Sequence, residues 1–137
     1  MRKAFLFEKK GDDLVKCTCC RHECMILNGS TGKCGVRKNV DGELYLLVYG
    51  RTVAMHVDPI EKKPLYHFMP GEEIFSFGTV GCNFKCSFCQ NWDISQAKPA
   101  ELGWQERDLS PKEAVDFCKK NKIKMIAYTY NEPTIFS

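Results

Sequence analysis

No apolar run in this sequence approaches the ~18 residues that a membrane-spanning helix needs. The opening stretch Ala4-Phe5-Leu6-Phe7, after Arg2 and Lys3, is far too short for the apolar core of a secretory signal. Charge of one sign is scarce as well: 20 Lys and Arg face 17 Asp and Glu, a net charge of +3. That is too small to mark a protein that holds nucleic acid by its phosphates. The densest basic run, Lys119-Lys120-Asn121-Lys122, falls where a helix is expected to end, and cations there complement the helix dipole. The nine cysteines do not make the even number that a complete set of internal disulfides requires. The missing signal and the odd count together lead us to expect a reducing, cytoplasmic compartment, with neither membrane nor nucleic acid as partner. Clustered cysteines in such a compartment usually mean metal or redox chemistry.

The chain has 137 residues, 44% hydrophobic and 27% charged. These values suit a soluble globular domain with a real core and are too apolar for a disordered one. Its most informative stretch is Gly81-Cys82-Asn83-Phe84-Lys85-Cys86-Ser87-Phe88-Cys89-Gln90-Asn91, with three cysteines at C-x3-C-x2-C spacing. Before it, Glu73 to Val80 places Ile74, Phe75, Phe77 and Val80 among strong strand formers. Three local thiolates suit a cubane iron–sulfur cluster with one iron left open to a non-protein ligand. A closed zinc site would want a fourth nitrogen or sulfur donor, and Asn83, Gln90 and Asn91 are poor zinc ligands. A zinc knuckle or reduced structural cysteines are the plainer alternatives.

Cys82, Cys86 and Cys89, with an aromatic residue directly before the last of them, resemble the radical S-adenosylmethionine (radical SAM) signature. The wider text from Gly78 to Phe84 and from Gln90 to Gln96 is similar, more narrowly, to the AmmeMemoRadiSam radical SAM proteins, relatives of pyruvate formate-lyase activating enzyme. The similarity runs from about Cys17 onward. The resemblance implies a 4Fe–4S cluster on Cys82, Cys86 and Cys89, whose open iron chelates the amino and carboxylate groups of SAM, with Phe88 near the adenine. It further implies reductive cleavage of SAM to a 5′-deoxyadenosyl radical that abstracts hydrogen, and a low-potential electron donor such as a flavodoxin or ferredoxin. Tyr130-Asn131-Glu132-Pro133 occupies the place of the family's Gly-Gly-Glu-Pro motif. The two glycines are absent, so Glu132 and the backbone around Asn131 are carried over as SAM contacts.

A second cysteine set lies nearer the N-terminus. Cys17, Cys20, Cys24 and Cys34 form C-x2-C-x3-C-x9-C, and Gly29, Gly32 and Gly35 supply backbone freedom for tight knuckles. Few large apolar residues lie between Lys16 and Lys38, so a metal would supply folding free energy that burial cannot. Zinc and a second iron–sulfur cluster are both open here, as is simple packing of unpaired thiols. Cys19 is a spare ligand and His22 a further candidate.

The first thirteen residues read as an edge element at most. Asn39-Val40-Asp41-Gly42 is a hairpin signal. Glu43 to Tyr49 and Thr52 to Val57 read as strands, with Gly50-Arg51 as a second two-residue connection. Pro59, Pro64 and Pro70 mark residues 58–71 as a loop or linker, where His56, Lys62, Lys63, Tyr66 and His67 are candidates to meet a substrate. Trp92 to Gln96 is expected to be helical or irregular over the cysteine loop. A clearer helix follows, with Ser110 as N-cap, Pro111 in the first turn and Glu113 completing a capping box. Its apolar stripe is Ala114, Val115, Phe117 and Cys118. Lys124 to Tyr130 is the next strand.

Strand, cysteine loop, helix and strand make a βαβ order, in which ligands collect at the carboxyl ends of the strands. The expected fold is therefore α/β: residues 71–137 begin a radical SAM partial (β/α) barrel, after a Cys-rich N-terminal domain over residues 1–70 with hairpins and a Pro-rich linker. Two parallel strands cannot cover their own faces, so the barrel is expected to be completed by further chain or by another subunit. Three functions fit: a glycyl-radical-activating enzyme acting on a partner protein, a radical SAM enzyme with another substrate, and a non-enzymatic zinc or iron–sulfur binding module. Which hydrogen is taken does not follow from the sequence.

Overall fold

The computed structural model describes residues 1–99 and 107–137. Its N-terminal half is built from short antiparallel pairs. β1 (Arg2–Lys3), β2 (Phe7–Lys9), β3 (Leu14–Cys17), β4 (Met25–Leu27), β5 (Arg37–Val40) and β6 (Glu43–Leu46) divide into two sheets, ordered β2-β3-β4 and β1-β6-β5. β1 and β2 lie at sheet edges, as the weak apolar patterning of the first residues predicts. The β5–β6 hairpin forms at Asp41-Gly42, where both residues take the left-handed backbone of a two-residue turn, φ 52° and φ 76°. β3 and β4 were not foreseen. They pair Val15 with Ile26 across a hairpin whose loop is the cysteine knuckle, and both side chains are buried with Ala4, Cys17 and Leu44.

The second half contains β7 (Arg51–Thr52), β8 (Ala54–Pro59), β9 (Glu73–Gly78), α1 (Trp92–Ser95), β10 (Arg107–Asp108), α2 (Pro111–Lys120) and β11 (Met125–Tyr128). The Gly50-Arg51 hairpin expected from the sequence does not form. The strand before it ends at Leu46, β7 pairs with β10, and β8 turns away to pair with β9. The reason lies in Thr52, which is buried with its hydroxyl donating to the carbonyls of Gly78 (2.5 Å) and Ala54 (2.9 Å), so the chain is drawn towards β9. The proline-rich segment after β8 is more ordered than a linker. Pro59 closes β8 opposite Glu73, and Ile60–Lys62 is a 3-10 turn with Ile60 fully buried.

β9 is central, antiparallel to β8 and parallel to β11 in register Ile74 with Met125 through Phe77 with Tyr128. The crossover between the parallel strands carries α1 and α2, which makes the expected βαβ unit. α2 begins at a complete capping box: Ser110 Oγ accepts from Glu113 N (3.2 Å), and Glu113 Oε2 accepts from Ser110 N (2.7 Å). It buries Ala114 and Cys118 against Phe75 and Ile123, whereas Val115 and Phe117 stay partly exposed, so the apolar stripe is half covered. The whole is a mixed α/β structure of several small sheets.

Candidate functional site

β9 runs out at Gly78, and the next residues lead straight into the three cysteines. The root of that loop is held by one side chain from the neighbouring parallel strand's end. Asn131, 9% exposed, donates from Nδ2 to Gly81 O (2.6 Å) and Thr79 Oγ1 (3.0 Å), and its Oδ1 accepts from Thr79 N (3.3 Å). From α1, the Ile94 carbonyl accepts from Gly81 N (3.0 Å), and Gln96 Nε2 donates to Phe84 O (3.1 Å). Asn91 closes the far end by donating to Tyr130 O (3.0 Å). The strand ends and α1 thus grip the loop at both sides, and the residues between, Lys85 to Phe88, face solvent.

Inside that grip, Phe84 N approaches Cys82 Sγ at 3.5 Å, Cys89 Sγ lies 3.4 Å from Ser95 Oγ, and a turn from Cys89 N to Cys86 O (3.2 Å) folds the last two cysteines together. No disulfide uses these thiols. Among the described residues, no group of three or more His, Cys, Asp or Glu side chains yet surrounds one point as metal ligands do. The fit to an iron–sulfur cluster is that of the donor set: three free thiols on one exposed, end-anchored turn, two of them near hydrogen-bond donors.

The carried-over SAM contacts divide. Phe88 is 84% exposed beside the cysteines. Glu132 lies at the same strand end but bends back to cap the 3-10 turn Pro133–Phe136, where its Oε1 accepts from Thr134 N (3.2 Å) and Thr134 Oγ1 (2.5 Å). Sequence reasoning assigned Asn131 a backbone role and missed its side chain, whose donor-and-acceptor amide a buried strand end would have suggested. Tyr130 holds φ 71°, the left-handed backbone that glycine usually supplies. The position therefore keeps a glycine-like geometry without the glycine, at a cost of about 1–3 kcal/mol that tends to be stored at functional sites.

On the β8 side of the sheet, Asp58 is buried and bonded to Lys62 (2.9 Å) and Lys63 (2.8 Å). Burial pushes its carboxyl up, but the two ammonium groups outweigh burial and hold it well below the usual carboxylate range. Tyr130 OH lies 3.4 Å from Asp58 Oδ2, and burial, together with that carboxylate, pushes the phenol up to about 12. His56 stacks edge-on against the same ring at 5.8 Å. Of the substrate candidates, His56, Lys62 and Lys63 therefore gather around Tyr130 and Asp58, whereas Tyr66 and His67 are exposed on the connection between β8 and β9.

The N-terminal cysteines come together with Asn83. Cys17, Cys19, Cys20, Cys24 and Cys34 line one small cavity of about 10 Å³, with His22, Arg37 and Asn83 at its wall. Cys19 Sγ is committed elsewhere, donating to Thr134 O (3.1 Å), and His22 Nε2 donates to Asn83 O (2.8 Å). Burial pushes the Cys17 and Cys34 thiols up, against backbone N–H donors and Arg37, which pull them down.

Asn131→Ala is expected to cost about 2–4 kcal/mol, because Gly81 O and the Thr79 groups lose their partner in a buried place. Asn131→Asp keeps the acceptor, loses both donors and should be nearly as damaging. Urea unfolding of the two variants checks this; stabilities within about 0.5 kcal/mol of the parent would mean that the amide does not hold the loop.

Against known proteins, residues 77–137 match the family model described as Radical SAM superfamily, a span that opens in β9 and takes in the cysteine loop, α2 and β11. Uncharacterized protein MJ0808 of Methanocaldococcus jannaschii is 43% identical over 136 residues, covering 99% of this chain and 40% of that protein. Uncharacterized protein MJ0674 of the same organism is 38% identical over 82 residues, covering 58% of this chain and 19% of that protein. The chain spans well under half the length of either relative. No solved structure matches it. No helix among the described residues is long and apolar enough to cross a membrane.

Proposed function

We propose that this chain is the N-terminal part of a radical SAM enzyme, with Cys82, Cys86 and Cys89 holding three irons of a 4Fe–4S cluster and the fourth iron left for SAM. One observation carries the reading: three free thiols sit on an anchored turn at the carboxyl end of a central parallel strand, inside the span matched to the superfamily. Such a cluster, when bound, supplies the electron that splits SAM's sulfonium bond reductively. The residues of the chain do the rest. Asn131 and α1 fix the loop so that the thiols present themselves together at the strand ends. Glu132 stands at that end with both of its capping bonds on Oε1, and its other oxygen is what it offers the ammonium of SAM. Phe88, exposed beside Cys89, offers a ring face to the adenine. The Asp58, Lys63, His56 and Tyr130 cluster lines the neighbouring part of the sheet, where polar groups can orient a substrate.

Within this class we favour an activating enzyme of the pyruvate formate-lyase activating type, or an AmmeMemoRadiSam protein, fed by a flavodoxin or ferredoxin and acting on a partner protein. This finer reading rests on the likeness of the sequence around Gly78 to Gln96. The test is anaerobic: a protein extended to the length of the MJ0808 relative is reduced with dithionite and given SAM. The expected result is a changed electron paramagnetic resonance spectrum and formation of 5′-deoxyadenosine, with much less product from the 137-residue chain. An iron-loaded extended protein with an unchanged spectrum and no 5′-deoxyadenosine would reduce the site to electron transfer or structure. That is the non-enzymatic metal-binding alternative.

A further inference from the structure

The four cysteines Cys17, Cys20, Cys24 and Cys34 lie outside the span matched to the superfamily, and the proposed reaction makes no use of them. They come from two turns that the fold brings face to face. One is the loop of the β3–β4 hairpin, closed by Cys17 N to Cys24 O (2.9 Å) and Glu23 N to Cys20 O (3.1 Å). The other is the Gly32–Gly35 turn, closed by Gly35 N to Gly32 O (2.9 Å), with Gly35 at φ 77°. Backbone N–H groups already point at sulfur in both turns: Cys19 N at Cys17, and Val36 and Arg37 N at Cys34.

The second observation is Arg37. Its guanidinium is 2% exposed and lines the same cavity. Nη2 donates to Ser137 O at 2.6 Å, and Nε is buried without a hydrogen-bond partner among the described residues. A buried cation with an orphaned donor is costly unless an anion faces it. Neutral thiols offer none. Four thiolates around a divalent ion carry a net charge of −2 and would give Nε its acceptor.

We propose that Cys17, Cys20, Cys24 and Cys34 bind one zinc ion in a closed tetrathiolate site, with Arg37 as the buried counter-charge. The cavity of about 10 Å³ holds roughly one water-sized sphere, which suits a single ion. Cys19 and His22 line the same cavity but are engaged in this structure with Thr134 O and Asn83 O. The four sulfurs do not yet converge on a common centre, and binding would draw them in, as it does wherever a small site folds on its metal. The ion has a structural consequence for the other site. The knuckle touches the root of the Cys82 loop through His22 on Asn83, and Gly81 lies so close that an added Cβ would stand 2.5 Å from Cys34 O. Zinc in the knuckle thus supports the floor on which the Cys82 loop rests.

The test uses the extended protein, produced with iron and zinc both supplied, purified anaerobically and assayed for each metal. About one zinc per chain is expected, beside the iron. Cys20→Ser and Cys24→Ser should lose the zinc, and Cys86→Ser should lose iron and keep zinc. Arg37→Met, which leaves every cysteine in place, should release zinc to a chelator about 10–100-fold faster. Cobalt(II) exchanged into the parent protein should show the intense visible bands of tetrahedral thiolate coordination, a readout that needs no variant to fold. Zinc absent from the parent, zinc retained in Cys20→Ser, or iron lost from the parent's total in Cys20→Ser while Cys86→Ser keeps a cluster would each overturn the assignment. Because the two metals are counted separately, a failure here leaves the reading of the Cys82 loop standing, and the reverse also holds.

Discussion

Replacing Cys82, Cys86 or Cys89 singly by alanine is expected to abolish the SAM-dependent spectral change and bring 5′-deoxyadenosine down to background in the extended protein, with the fold intact. The three thiols are the donor set of one turn, and no fourth cysteine stands in the loop to replace a lost one. His22 touches the loop through the Asn83 carbonyl, not through a cysteine. A cluster missing one of three protein ligands has two open irons, which makes it labile and removes the single open iron that chelation of SAM requires. The fold should survive because the loop contributes little burial: Cys86 and the residues on either side of it are exposed, and the nearby core of Val36, Leu46, Val48, Val80 and Ile135 does not include the three cysteines. Circular dichroism should therefore match the parent while iron falls. Full iron content with an unchanged response to SAM in any one of the three variants would remove that cysteine from the ligand set.

Gly81→Ala is expected to be strongly destabilising for the addition of a single methyl. Gly81 sits at φ 84°, where an L side chain is strained by roughly 1–2 kcal/mol. Its Cβ would also stand 2.5 Å from Cys34 O and 2.6 Å from Val36 Cγ1. The backbone carbonyl cannot swing aside, since it belongs to the Gly32–Gly35 turn, and Val36 is wholly buried. Overpacking of that kind costs about 1–3 kcal/mol more, so a total loss of ~2–5 kcal/mol is expected. Part of it would be relieved by lifting the Cys82 loop off the N-terminal knuckle. The measurement is urea unfolding together with iron and zinc content. Gly71→Ala is the control, a positive-φ glycine with nothing within 4 Å of the added carbon. Equal stabilities of the two variants would show that backbone strain alone is at issue and that the two cysteine regions are not packed through Gly81.

Asp41-Gly42, the Ser110–Glu113 capping box and the C-x3-C-x2-C run were legible in the sequence because each is decided within a few residues. A left-handed turn needs residues that tolerate φ > 0, a helix start needs a side-chain acceptor three residues before a glutamate, and a cluster loop needs thiols close along the chain. The parallel strands flanking the helix were legible for a related reason: the apolar patterns around Phe75 and Ile126 leave few other ways to cover α2. The expected hairpin at Gly50-Arg51 failed because a two-residue connection states only that the chain may turn. Which strand β8 joins was decided by Thr52 and Val53 bonding to Gly78, about 25 residues away, and by the burial of Ile60 beyond it.

The composition and spacing of the cysteines determined by themselves that this chain has two clusters of thiols along its sequence, one of three and one of four. The relation between the clusters belongs to the tertiary structure. His22 reaches Asn83 across 61 positions of sequence, Asn131 reaches Gly81 across 50, and Arg37 enters the N-terminal cavity with a buried Nε that has no partner among the described residues. Contacts of that range leave no periodic trace in the chain, because a hydrogen bond to a distant backbone carbonyl asks nothing of the residue that offers it.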